Sequence, residues 1–177
     1  MNQGLTHIYM GEGKGKTTSA MGLAMRCCGC GNRVYIVQFL KTSPTGEVSL
    51  IEALQSPDFK VFRFETQHGF FPQMDAEQKT KLQTEIEQAL AFIADCMKNG
   101  ACDMLVLDEI LGAVENGLIP TSWLMEMIQS KPQGMELVLT GRRAPQGVIA
   151  AANYVTEMVC VKNPYEHGVP ARKGIEY

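Results

Sequence analysis

The sequence has no basic excess: 16 lysines and arginines stand against 19 aspartates and glutamates, a formal net charge of −3. A constitutive nucleic-acid binder normally carries a surplus of positive charge, so that class is excluded and any phosphate contact must be local. Nor is there an apolar run long enough to span a bilayer, and the start "MNQGLTHIYM" lacks the charged stretch and apolar core of a signal peptide. No membrane partner is expected, and the expected location is the cytoplasm. Second metal motifs are missing too. Of six cysteines, only Cys27 and Cys30 form a CxxC, and the histidines His7, His68 and His167 are dispersed. A zinc site needs more ligands and a redox motif needs a thioredoxin-like setting, so the cysteines read as reduced structural thiols. Repeats, linkers and low-complexity segments are absent as well.

What is present is an alternation. A chain of 177 residues, 45% hydrophobic, suits one domain over 1–177. Strands are expected at 5–10, 33–40 and 59–65, in "DMLVLDE" and "MELVLTG", and through "YVTEMVCVK" (154–162). Helices are expected over 16–28, stopped by Gly29 and Gly31, near 46–55, over 75–98 and over 122–130. The long one carries Leu82, Ile86, Leu90, Ile93 and Met97 at helical spacing. This order predicts an α/β fold: a P-loop domain with a mostly parallel sheet flanked by helices on both faces.

Between the first strand and the first helix lies "MGEGKGKTTSA" (10–20). A common P-loop, GxxxxGK followed by Ser or Thr, requires Gly at position 10, where this chain has Met10, so the loop is one residue short. Its place still lets backbone N–H groups and a helix N-terminus converge on an anion. Gly11, Gly13 and Gly15 permit the tight path, Lys16 sets a charge against phosphate oxygens, and Lys14 adds a second. Thr17 or Thr18 offers a hydroxyl to a magnesium ion carried by the nucleotide. A chance glycine cluster is the competing reading, disfavoured by the flanking strand and helix. "MLVLDE" ends a buried strand in Asp108 and Glu109, the form of a metal-holding Walker B segment, because parallel strands deliver their carboxyl ends to the ligand crevice. By the same logic "LTGRRAP" presents Arg142 or Arg143 for bidentate contact with phosphate.

Together "GEGKGKTT", "VYIVQFLK", "HGF", "VLDE", "LTGR" and the closing "VKNPYEHGVPARKGIEY" resemble the ATP:corrinoid adenosyltransferases of cobalamin synthesis and salvage, over nearly the whole chain. The shortened loop and the VK…GV…GIEY ending are the most specific elements. The resemblance implies a RecA-like homodimer that transfers the 5′-deoxyadenosyl group of ATP to the Co(I) of a reduced corrinoid and releases triphosphate. The nucleotide would lie the opposite way round from that of an ordinary P-loop ATPase. It further implies that Gly11, Glu12, Gly13, Lys14, Gly15, Lys16, Thr17 and Thr18 bind nucleotide with Arg26 and Arg142. Thr17 and Glu109 hold Mg²⁺ or Mn²⁺, and Lys16, Thr17 and Glu109 carry the catalysis. Asp108 supports the metal ligands, and Phe70 and Phe71 meet the corrinoid and displace its axial ligand. A flavoprotein or other low-potential electron donor is the implied partner. Three departures stand out. Pro72 occupies a position where relatives often carry Trp, with Phe71 one residue earlier as a substitute. Glu12 stands where many have Asn. No long segment precedes the first strand, which implies a more exposed corrinoid.

Two other classes share part of this pattern. A P-loop small-molecule kinase would yield ADP, and the short loop disfavours it. An ATP-dependent corrinoid-binding module would show no turnover, and the Thr17 with Glu109 pair disfavours that.

Overall fold

Strands that are apolar on both faces need cover on both faces, and the computed structural model, which describes residues 3–66 and 71–176, supplies it. Six strands, β1 (Thr6–Met10), β2 (Val34–Gln38), β3 (Phe59–Phe62), β4 (Met104–Asp108), β5 (Glu136–Thr140) and β6 (Tyr154–Glu157), form one sheet in the order β3-β2-β4-β5-β1-β6. Every pairing is parallel. Side chains alternate across a strand, so each strand feeds two cores. On one face Val34, Ile36, Met104, Val106 and Val138 pack against Ala20, Met21 and Ala24 of α1 (Lys16–Gly29) and Ile51 of α2 (Gly46–Leu54). On the other, Ile8, Val37, Leu105, Leu107, Leu137 and Leu139 pack against three helices. These are α3 (Ala76–Asn99), α4 (Ile110–Glu115) and α5 (Thr121–Ser130), with Val148 of α6 (Gln146–Ala151) beside them. Each fully buried aliphatic side chain contributes about 1.5–3 kcal/mol, and the central strands supply most of them.

The expected helices and strands are all found, with informative differences at their ends. The third strand stops at Phe62, and past its end the Arg63 guanidinium turns back to Gln38 Oε1 (2.8 Å) and to the Ser43 carbonyl (2.8 Å). The last strand stops at Glu157 and the chain leaves the sheet instead of running on to 162. Gly29 does not stop α1 but belongs to it; the turn comes two residues later, where Gly31 has φ 82°. In α3 the cap is Asp75, whose carboxylate accepts from Gln78 N while Gln78 Oε1 accepts from Asp75 N. Helices α4 and α6 have no counterpart in the expected order.

Candidate functional site

Because all six strands run the same way, their carboxyl ends share one edge, and there the glycine loop (11–15) meets the ends of β2, β4, β5 and β6. Gly15 takes φ 116° immediately before α1, a left-handed conformation that glycine adopts without strain. Gly11 and Gly13 serve a purpose that the sequence reading did not find: the chain leaving β6 crosses directly over them. Gly13 N donates to the Met158 carbonyl (2.6 Å) and Met158 N to the Met10 carbonyl (2.7 Å). A Cβ on Gly11 would lie 2.4 Å from the Met158 oxygen, and one on Gly13 2.6 Å. Lys16 folds back over the loop and donates to the carbonyls of Gly11 (2.7 Å) and Gly13 (2.8 Å).

Asp108, fully buried at the end of β4, joins these ends. It accepts from Thr17 Oγ1 (2.9 Å), Thr140 Oγ1 (2.7 Å), Gln38 Nε2 (2.9 Å) and Lys41 Nζ (2.7 Å). Its two carboxylate oxygens thus carry four donors. Thr140 Oγ1 also accepts from Glu109 N (2.8 Å). Glu109 itself has φ 61°, an uncommon angle for a non-glycine residue, and lines a cleft together with Gly13 and Lys16 on the loop side. Burial raises the Glu109 pKa above its ordinary value against the lowering pull of Lys41, Lys16 and Arg142.

Glu109, Lys16, Lys14, Glu12, Gly13 and Arg142 line one side of a cleft of about 740 Å³ whose far wall is the chain after β6, including Tyr165, Val169 and Arg172. A second cleft of about 610 Å³ lies beyond, lined by Thr17, Thr18, Lys41 and Glu47. Glu176 stands between the two. It pairs with Arg172 (3.1 Å) and accepts from Lys14 Nζ (2.9 Å), contacts that, Arg172 foremost, bring its pKa down to about 2.

Of the expected site residues, Gly11 to Thr18, Glu109 and Arg142 come together. Arg142 lies 3.7 Å from Glu12 Oε2, and its carbonyl accepts from Gly11 N (2.9 Å). Arg143 turns away, to Glu115. Arg26 is not brought to the loop. It is exposed in the last turn of α1, ten residues past Lys16 and so about 15 Å along the axis, where its charge offsets the negative end of the helix dipole. Phe71 packs half-buried against the core with Lys79 Nζ 5.5 Å from its ring centre, and it lines neither cleft. Phe70 lies outside the described residues. Lys41, Gln38 and Glu176 were missed. The first two stand at the carboxyl end of an expected strand, so the reasoning that selected Asp108 could have found them.

Fold and edge define the class: an α/β protein that brings a glycine loop to the carboxyl ends of a parallel sheet. A solved structure, the cytoplasmic domain of EssC, shares this fold with a TM-score of 0.54 at 18% identity, over 96% of this chain and 34% of that one. Residues 2–177 match the model of the family "ATP:corrinoid adenosyltransferase BtuR/CobO/CobP". The chain is 32% identical to a corrinoid adenosyltransferase of Pseudomonas aeruginosa, over 99% of this chain and 84% of that protein. It is 33% identical to those of Escherichia coli K12 and Salmonella typhimurium, over 99% of this chain and 86% of each. The chain belongs to the ATP:corrinoid adenosyltransferase family, and is thus a transferase whose implied substrates are ATP and a corrinoid.

Proposed function

We propose that the protein binds the triphosphate of ATP in the loop of residues 11–18 and directs C5′ outward, so that the Co(I) of a reduced corrinoid attacks it in line. The 5′-deoxyadenosyl group passes to cobalt, the C5′–O bond breaks with its electron pair going to oxygen, and triphosphate leaves. The observation that carries this reading is the convergence of Lys16, Lys14, Arg142 and Glu109 on one cleft beside the glycine loop. Co(I) is itself a strong nucleophile, so the protein needs no general base. Its task is to align the attack and to offset charge building on the leaving triphosphate. Lys16 does so by exchanging the carbonyls of Gly11 and Gly13 for phosphate oxygens, and Lys14 by releasing Glu176. Arg142 contributes from the end of β5.

Thr17, Asp108 and Glu109 offer only oxygen donors, a hydroxyl and two carboxylates, which suit Mg²⁺ or Mn²⁺. Among the described residues no three His, Cys, Asp or Glu cluster into a self-sufficient ion site, so an ion held here shares its ligands with the nucleotide. Thr17 and Glu109 would hold it, and its chemistry would be charge neutralisation on the triphosphate. Phe70 is assigned by resemblance to the corrinoid side, a homodimer is the working assembly, and a low-potential donor such as a flavoprotein supplies the electron for Co(I).

An anaerobic reaction with ATP and chemically reduced corrinoids tests the reading. Adenosylated corrinoid and triphosphate in equal amounts are expected. ADP with a phosphorylated acceptor, or bound ATP with no product, would overturn it.

A further inference from the structure

One cation in the site was not anticipated and has no part in the transfer chemistry above. Lys41 follows β2, and its ammonium donates to Thr17 Oγ1 and to Asp108 Oδ2, both at 2.7 Å. These are a hydroxyl and a carboxylate that a divalent ion at this edge would seek. The seat is built rather than incidental. Leu40, just before it, adopts φ 54°, an uncommon angle for a branched residue. The buried Glu65 carboxylate accepts from Leu40 N at 2.8 and 2.9 Å and pins that turn. Lys41 is three-quarters covered, and it lines the second cleft together with Thr17 and Thr18.

Two cations cannot share one small set of oxygens at low cost, because their repulsion grows as the surroundings become less polar. An ammonium has three donors, and two here are satisfied by Thr17, the hydroxyl that the metal would use, and by the Asp108 carboxylate beside it. A polyphosphate entering from the cleft brings a larger negative charge within reach of the third. We propose that Lys41 is a positioning residue that occupies the ion's place. Seated on Thr17 and Asp108, it keeps a divalent ion out until a polyphosphate draws it away, so ion binding is conditional on nucleotide. This rests on the metal assignment made above for Thr17.

Proton relaxation enhancement by Mn²⁺, which rises when the ion is held on a slowly tumbling protein, tests the idea on the full chain without any corrinoid. The probes are Mn²⁺ alone and Mn²⁺ with tripolyphosphate. The wild type is expected to hold no Mn²⁺ alone and one ion per chain with tripolyphosphate. Lys41→Gln, which keeps a donor for Asp108, and Lys41→Met should both bind Mn²⁺ alone at least about tenfold more tightly than the wild type. Should Lys41→Met fail to unfold cooperatively, Lys41→Gln and the wild type still decide. Tight Mn²⁺ binding by the wild type without tripolyphosphate overturns the proposal, as does a Lys41→Gln variant as silent as the wild type. A wild type that holds no ion even with tripolyphosphate removes the metal assignment itself and this inference with it.

Discussion

Lys16 lies across its own loop, its ammonium on two carbonyls, and must give these up to meet a phosphate. Lys16→Ala removes a charge-assisted contact of roughly 1.5–3 kcal/mol, so kcat/KM for ATP should fall by about one to two decades with little change in melting temperature. Unchanged ATP kinetics would remove Lys16 from the phosphate site. Glu109→Gln keeps the shape of the side chain and takes away its charge. The Mg²⁺ concentration at half-maximal activity should rise, while the fold, held here through Glu109 N and Thr140, stays intact. An unmoved metal titration would transfer the ligand role to Asp108. Single residues were the least legible scale. Lys16, Thr17 and Asp108 could be found because each sits at a strand end or helix start with a motif around it. Arg26, expected at the nucleotide from the resemblance alone, stands in the last turn of α1, about 15 Å along the helix axis from Lys16. Lys41 closes the run "VYIVQFLK" at a strand end as well, but its partners, oxygens supplied by α1 and β4, are not visible from that run.

Elements were legible where the apolar pattern was long. Strand β4 is buried at every position and β5 at all but its first, so continuous apolar runs announced them. Helices α4 and α6, six residues each, are too short to display a helical period, and each contains a glycine. The exit turn of β2 was invisible because its determinant is a carboxylate far along the chain. Burial raises the pKa of Glu65 to about 7, only partly opposed by its bond to Leu40 N, with Glu85 adding to the rise. A carboxyl whose pKa is higher folded than unfolded binds more protons in the native state, so its contribution is complete below about pH 4.5 and is lost as pH rises towards 7. The wild type should therefore lose stability across that window relative to Glu65→Gln, by on the order of 3 kcal/mol, the size of the shift in free energy. Parallel stability curves for the two proteins between pH 4.5 and 7 would contradict the assignment.

At the scale of the whole molecule, the chain beyond β6 forms the wall facing the glycine loop, and charge ties it there through Lys14, Glu176 and Arg172. All three are at least partly exposed, so the tie is open to screening. In molar salt, where the Debye length is about 3 Å, trypsin should cut at Arg172 or Lys173 faster than in dilute buffer. Glu176→Gln should be cut fast in both, and equal rates for the wild type at both salt concentrations would show that apolar packing holds the wall. The sheet order has a consequence for synthesis. β1 is flanked only by β5 and β6, and the glycine loop is completed by Met158, so the first part of the site to be made is the last to find its neighbours. A nascent chain leaving the ribosome carries its glycine loop unfinished until β6 and Met158 have emerged. Chains stalled with β6 still inside the exit tunnel should be unable to retain nucleotide, while release of the next few residues should confer binding abruptly.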